Sequence, residues 1–409
     1  CNTMKRRDFI KYSTITPLAA AATRKGFAMP RQSRQPDRQS RDTVTLFVAG
    51  DVMTGRGIDQ VLPNPGDPQI FETYVRSARD YVQLAEQANG PIPRPVDFTY
   101  IWGDALAALE AAAPDVRIIN LETAVTRSGT PWLDKGIHYR MHPDNIPCLT
   151  AAAIDCCVLA NNHVLDWNYA GLDETLASLA QAGLSAVGAG ADQAAAQAPA
   201  VLPLPGGGRV LVFAGGLQSS GIPAKWAATR ERSGLNLLPD FSDNTVRDFT
   251  RAVRAHKQPG DVAVVSLHWG GNWGYTIPAA HTRFAHALIE AADVDLVHGH
   301  SSHHPLGLEV YRGRPILYGC GDLVNDYEGI GGHEEYRTGL ALLYLVTLDR
   351  AGGELVSLEM VPLRRNRFRL ERASDDDVEW LMKTLDRESR SQGARVTRSA
   401  DAILRLDWS

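Results

Sequence analysis

The chain is poor in cysteine, has no large excess of either charge and carries no long apolar run. Its five cysteines in 409 residues form no thiolate cluster, which argues against a structural zinc knot. They read as small core residues: Cys156-Cys157 sit together on a strand-like run, and Cys148 and Cys320 are far apart. The odd count leaves any disulfide of an exported protein unassigned. A net charge of -5 gives no reason to propose nucleic acid or an anionic membrane as partner. The apolar stretch near the N-terminus, through Ile15, Leu18 and Ala19 to Ala22, is too short to span a bilayer. No Gly/Ser-rich linker and no internal repeat divide the middle, so one large α/β domain accounts for the length. With 44% hydrophobic and 22% charged residues, the composition is that of an ordinary soluble globular protein.

What the chain does have is a series of five polar motifs, each where a hydrophobic strand should end. They are Gly50-Asp51-Val52-Met53-Thr54-Gly55-Arg56, Asn120-Leu121-Glu122, Asn161-Asn162-His163 with Asp166, His268-Trp269-Gly270, and Gly299-His300-Ser301-Ser302-His303. The strand-like runs 44–49, 116–119, 156–160, 262–267 and 294–297 precede them. Helical patterns at 102–112, 172–181, 246–255 and 280–291 alternate with these strands, which predicts an α/β layered fold. One sheet edge then collects carboxylates, a carboxamide and imidazoles, the ligand set of a metal site.

Those donors suit Zn, Mn or Fe. Two divalent metal ions about 3.5 to 4 Å apart can orient a substrate oxygen and neutralise charge on a leaving group. Glu122, with two oxygens, is the expected bridging ligand, and Asp51, Asn162, His268, His300 and His303 fill the remaining positions. Taken singly, each motif is as well explained by a cap or a turn. Five in fixed order are not.

At these residues the sequence resembles the CapA family of capsule and poly-gamma-glutamate biosynthesis proteins, whose domain is related to calcineurin-like metallophosphoesterases. The matching positions are Asp51 with Arg56, Glu122, His163 with Asp166 and Gly171, His268, and His300 with His303, over residues 44 to 345. The resemblance implies a layered β-sandwich flanked by helices, forming a single catalytic domain. It further implies a hydrolase acting on a phosphoester, or on an amide or ester bond, in capsule, polyglutamate or cell-wall polymer metabolism. The substrate would be a polymer or a small anionic molecule, and the capsule or polyglutamate synthesis machinery a partner. Three segments depart from the family pattern: Gly271-Asn272-Trp273, Ser301-Ser302 and Tyr318-Gly319-Cys320-Gly321-Asp322-Leu323. They read as lying beside the ligands and bear on the substrate more than on the metals.

The N-terminus carries a second signal. Arg6-Arg7-Asp8-Phe9-Ile10-Lys11, an alanine run and Gly26-Phe27-Ala28 resemble a twin-arginine signal peptide over residues 1–28, with Met4 a candidate start. A periplasmic or extracellular protein without a transmembrane segment is the expectation. Residues 29–43, polar and nearly free of apolar side chains, read as a disordered tether. The catalytic domain is expected at 44–365, and a peripheral helical element, with a helical pattern at 376–389, at 366–409. An insertion punctuated by Pro63, Pro65, Pro68, Pro91, Pro93 and Pro95 suits a lid or substrate loop, or surface filler.

Roles within the motifs can be divided further. His163 with Asp166 at i+3 is the expected general acid, against the plainer reading of an ion pair behind the ligands. Arg56 is set either to grip a carboxylate or phosphate or to cap a turn. His138, His142, His298 and His304 read as packing or support, and Trp132, Trp167, Trp269 and Trp273 as core or rim aromatics. A non-catalytic accessory subunit of polymer synthesis and a metal-assisted peptide epimerase are the competing functions.

Overall fold

Strands that are apolar on both faces need cover on both sides. Val262–His268 is buried at all seven positions, and Thr43–Val52 at all but its first and third. The computed structural model describes residues 42–408, which belong to one compact unit. The twin-arginine motif, the cleavage site and all but the last two residues of the expected tether lie outside the described residues.

Six strands build the site: β1 (Thr43–Val52), β2 (Val116–Leu121), β3 (Cys156–Val158), β4 (Val262–His268) and β5 (Leu296–His300), which lead into the five motifs, and β6 (Asp322–Val324). β1, β2, β3 and β6 belong to a ten-stranded sheet, where β1 pairs in parallel with both β2 and β6. On its other flank β1 runs antiparallel to Leu340–Asp349. β4 and β5 are the parallel centre of a six-stranded sheet.

The sheets face each other. Val44, Leu46 and Val48 of β1 share a core with Val262 and Val264 of β4 and Leu296 of β5. On the outer face of the larger sheet, Phe47, Ile119 and Cys157 pack with Val82, Leu109 and Leu172 of the helices Ala78–Asn89, Asp104–Ala112 and Asn168–Gln181. On the outer face of the smaller one, Val265 and Val297 meet Phe249 and Phe284 of Asp243–His256 and Ala279–Ala292. The layered β-sandwich flanked by helices is therefore the observed architecture. Cys148, Cys156, Cys157 and Cys320 are buried free thiols.

The C-terminal region differs from the expected peripheral helix. The helix Asp375–Ser389 is there, capped by Ser374 Oγ accepting from Asp377 N–H at 3.2 Å, with three aspartates in its first turn where they oppose the helix dipole favourably. Yet Ala394–Arg398 and Leu404–Trp408 are strands of the ten-stranded sheet. Val378, Leu381, Leu385, Val396 and Leu404 belong to the core between the sheets. The period-two alternation of Ala394-Arg395-Val396, buried, exposed, buried, is the strand signal that the charged composition masks.

Candidate metal centre

Strand register builds the site. In the larger sheet Asp51 lies opposite Asn120 of β2 on one side and Asp322 of β6 on the other. In the smaller sheet His268 lies opposite His300. Gly50 permits the close approach of β1 to the turn before β6: a Cβ there would meet the Gly321 carbonyl oxygen at 1.9 Å. Beyond β5, Ser301 has φ of 101°, a costly conformation for a side-chain-bearing residue, and the turn it makes carries His303 back toward Asp322.

Two groups of side chains could each hold a metal ion. Asp51, His268 and His300 form one and Asp51, His303 and Asp322 the other, with the potential ligand atoms in each within 4.8 Å of one another. Asp51 is common to both, so the shared carboxylate in this geometry is Asp51 and not Glu122. Glu122 Oε1 lies 3.7 Å from His163 Nε2 and 4.0 Å from His268 Nε2. Asn162 Oδ1 is 3.0 Å from His268 Nε2.

The electrostatics fit a cation. Burial, with Asp322 next, pushes the Asp51 carboxyl up to about 7, and burial, with Asp51 next, pushes Glu122 up as well. Burial and neighbouring imidazoles drive His268 and His300 down, toward the neutral form that ligates metal. Asp51 Oδ2 is buried with no hydrogen-bond partner, a costly state for a carboxylate oxygen that an ion would relieve. His303 is the exception: burial lowers it, but its 2.9 Å contact with Asp322 outweighs this and raises it.

His163 stands beside this group with its ring fixed from both sides. Its Nδ1 is 2.7 Å from Asp166 Oδ2 and 2.8 Å from Lys135 Nζ, and Lys135 Nζ donates to Asp166 Oδ1 at 2.5 Å. Asp166 also accepts from Tyr139 N–H at 2.7 Å. Burial and the Lys135 ammonium hold His163 well below the usual imidazole range, against the protonated ring that a general acid requires. The preceding Asn161 makes the turn: Oδ1 accepts from His163 N–H and Val164 N–H, while Nδ2 donates to Asn120 Oδ1 and Leu121 O.

Arg56 grips carboxylates, but they are the chain's own. Its guanidinium pairs with Asp326 at 3.0 and 2.5 Å and with Glu72 at 3.0 Å. Tyr81 and Tyr139 lie over it, with ring centroids 3.6 and 4.3 Å from Cζ. It ties the Pro-rich insertion to the segment after β6, and substrate contact is not where its donors go. His298 bridges the sheets through Ala49 O and Ser266 Oγ at 2.9 and 3.1 Å, and His138 and His142 make local contacts with Trp132 O and Asp144 N–H. Trp167 and Trp269 are buried with their N–H groups on backbone carbonyls.

Residues 45–327 match the family described as bacterial capsule synthesis protein (PGA_cap). The chain belongs to that family. A probable polyglutamine synthesis accessory protein of Mycobacterium tuberculosis is 54% identical over 366 residues, covering 89% of this chain and 96% of that protein. The PGA biosynthesis protein CapA of Bacillus subtilis is 27% identical over 288 residues, 70% of this chain and 64% of that protein.

Two residues of this family member escaped the sequence reading. Asp322 sits in the Tyr318–Leu323 departure that was expected to lie beside the ligands, and it stands instead inside one ligand group. The signal was a carboxylate in a glycine-flanked turn before a strand. Lys135, in the loop after Glu122, had no motif around it, and only the fold brings it to His163. Together with Glu122, Asn162, His163, His268 and His303 it lines a chamber of about 230 Å³.

Proposed function

We propose that this chain is an exported, dinuclear metal-dependent hydrolase. Its bond would be a phosphoester, or an amide or ester, in capsule, polyglutamate or cell-wall polymer metabolism, and its place the periplasm or the cell exterior after twin-arginine export. The observation that carries the reading is the pair of ligand groups sharing Asp51, one with His268 and His300 and one with His303 and Asp322, beside a small chamber that Glu122 lines, an arrangement of buried acids and imidazoles whose cost bound cations would offset.

Asp51, His268 and His300 would hold one divalent ion and Asp51, His303 and Asp322 the other, with Glu122 and Asn162 at hand as further ligands. Bound there, such ions would polarise the scissile group and offset the charge that develops on its oxygens. His163 presents Nε2 to the chamber and would pass a proton to or from the reacting oxygen or nitrogen at that atom. Which way depends on Nδ1. Accepting from Lys135, Nδ1 leaves the proton on Nε2, a donor; donating to Asp166, it leaves Nε2 a base.

A second reading rests on the M. tuberculosis relative, whose name describes an accessory role in polyglutamine synthesis. There, metal would stabilise the fold and the protein would act by contact with the synthesis machinery. Complementation of a deletion strain by wild type, His163→Asn and Glu122→Ala at matched abundance separates the two. Failure of both variants with normal folding supports the hydrolase; equal rescue by all three eliminates it.

A further inference from the structure

Exposed apolar side chains are unevenly spread over this protein. Of eight large ones among the described residues, Tyr74, Ile137 and Ile330 sit on three separate loops that line one groove. Tyr74 is 97% exposed and Ile330 46%, and neither supports the core. Tyr74, Tyr81, Ile137, Trp273, Tyr327 and Ile330 line a groove of about 440 Å³, a volume typical of small-molecule sites. Ile137, Asn272, His303 and Tyr327 belong to the walls of both groove and chamber, so the two are continuous.

The groove's permanently charged lining residues are already paired. Among its lining residues, Arg56 is bound to Asp326 and Glu72, Glu72 also receives the Tyr81 hydroxyl, and His303 is paired with Asp322. His333 lies flat on Trp273, ring centroids 3.7 Å apart. A polyanion with a carboxylate on every unit would bring its charges against these walls without a counter-ion and pay for their desolvation. An uncharged chain would gain from the same contact.

We infer that the groove is a substrate subsite for an uncharged, largely apolar chain whose single anionic group reaches the chamber. The inference rests on the hydrolase reading for the reacting end and on the groove walls for the rest. A substrate of this class is an amphiphilic ester, not a bare polyglutamate strand.

Calorimetric titration of the metal-supplemented full chain with n-alkyl phosphates of two to eight carbons tests it, with oligo-gamma-glutamate as competitor. Affinity should rise about three- to fourfold per added methylene until the groove is filled, and Tyr74→Asp with Ile330→Asp should flatten that slope. Oligo-gamma-glutamate should bind no better than ethyl phosphate. Affinity independent of chain length, or tight oligo-gamma-glutamate binding lost in the same double variant, overturns the subsite. A protein that takes up no metal yet keeps the chain-length slope overturns the hydrolase reading and leaves the subsite standing; no metal and no slope overturns both.

Discussion

The two sheets bring opposite chemistry to one seam. The larger contributes acids, Asp51 on β1, Glu122 just past β2 and Asp322 on β6; the smaller contributes bases, His268 on β4, His300 on β5 and His303 in the turn beyond. Burial acts on both and in opposite senses, raising Asp51 and Glu122 and lowering His268 and His300. Asp51, Glu122, His268 and His300 therefore drift toward their neutral forms, while Asp322 and His303, paired with each other, are held toward their charged ones. A divalent cation reverses the drift of the acids and exploits that of the bases, because it binds carboxylates and neutral imidazoles together. The seam between the sheets is where a metal gains most.

The largest break in this comparison should come from Asp51, the residue both ligand groups share. Asp51→Asn is expected to lose both metals and all measurable turnover, whereas His268→Gln should lose one metal, read by elemental analysis of matched preparations. Next comes His163→Asn, which touches neither group. It should keep metal content and melting temperature while turnover falls roughly 10²- to 10⁴-fold. Lys135→Gln should act more weakly, roughly tenfold in turnover, and should shift the pH profile because it releases His163 Nδ1 to Asp166. An unchanged profile would make Lys135 a structural counter-ion only.

Much of this was legible in the sequence because strand ends are readable: a hydrophobic run followed by Asp, Glu, Asn or His marks both the strand and its cargo. The strand ends, the helices and five of the residues lining the chamber follow from that pattern; the division of the strands between two sheets does not. Pairwise geometry does not. Arg56 after Asp51 looks free in sequence, but its partner Asp326 is 270 residues away. Asp322 looked like a neighbour of the ligands until the parallel register of β1 and β6 set it opposite Asp51. The C-terminal strands were hidden by their exposed arginines, since a sheet edge buries only alternate side chains.

The smallest predicted effect concerns stability in the metal-free state. The Asp51 carboxyl, with a folded value of about 7 against an ordinary 3.8, binds its proton more tightly folded than unfolded. Its contribution to stability is full below the ordinary value and is lost as pH rises through about 7. His268 and His300, depressed from 6.5, cost stability only as pH falls below that. Chelator-treated protein should therefore melt higher at about pH 6.5 than at about pH 8, and metal-loaded protein should show the reverse as protons compete for its ligands. Parallel curves for the two forms would mean the chamber carries no such linkage.

The most direct test of the account is metal content. Protein purified under mild conditions without chelator should carry close to two equivalents of Zn, Mn or Fe per chain by elemental analysis. Fresh, folded wild-type protein with no bound divalent metal, and none taken up on addition, would contradict it.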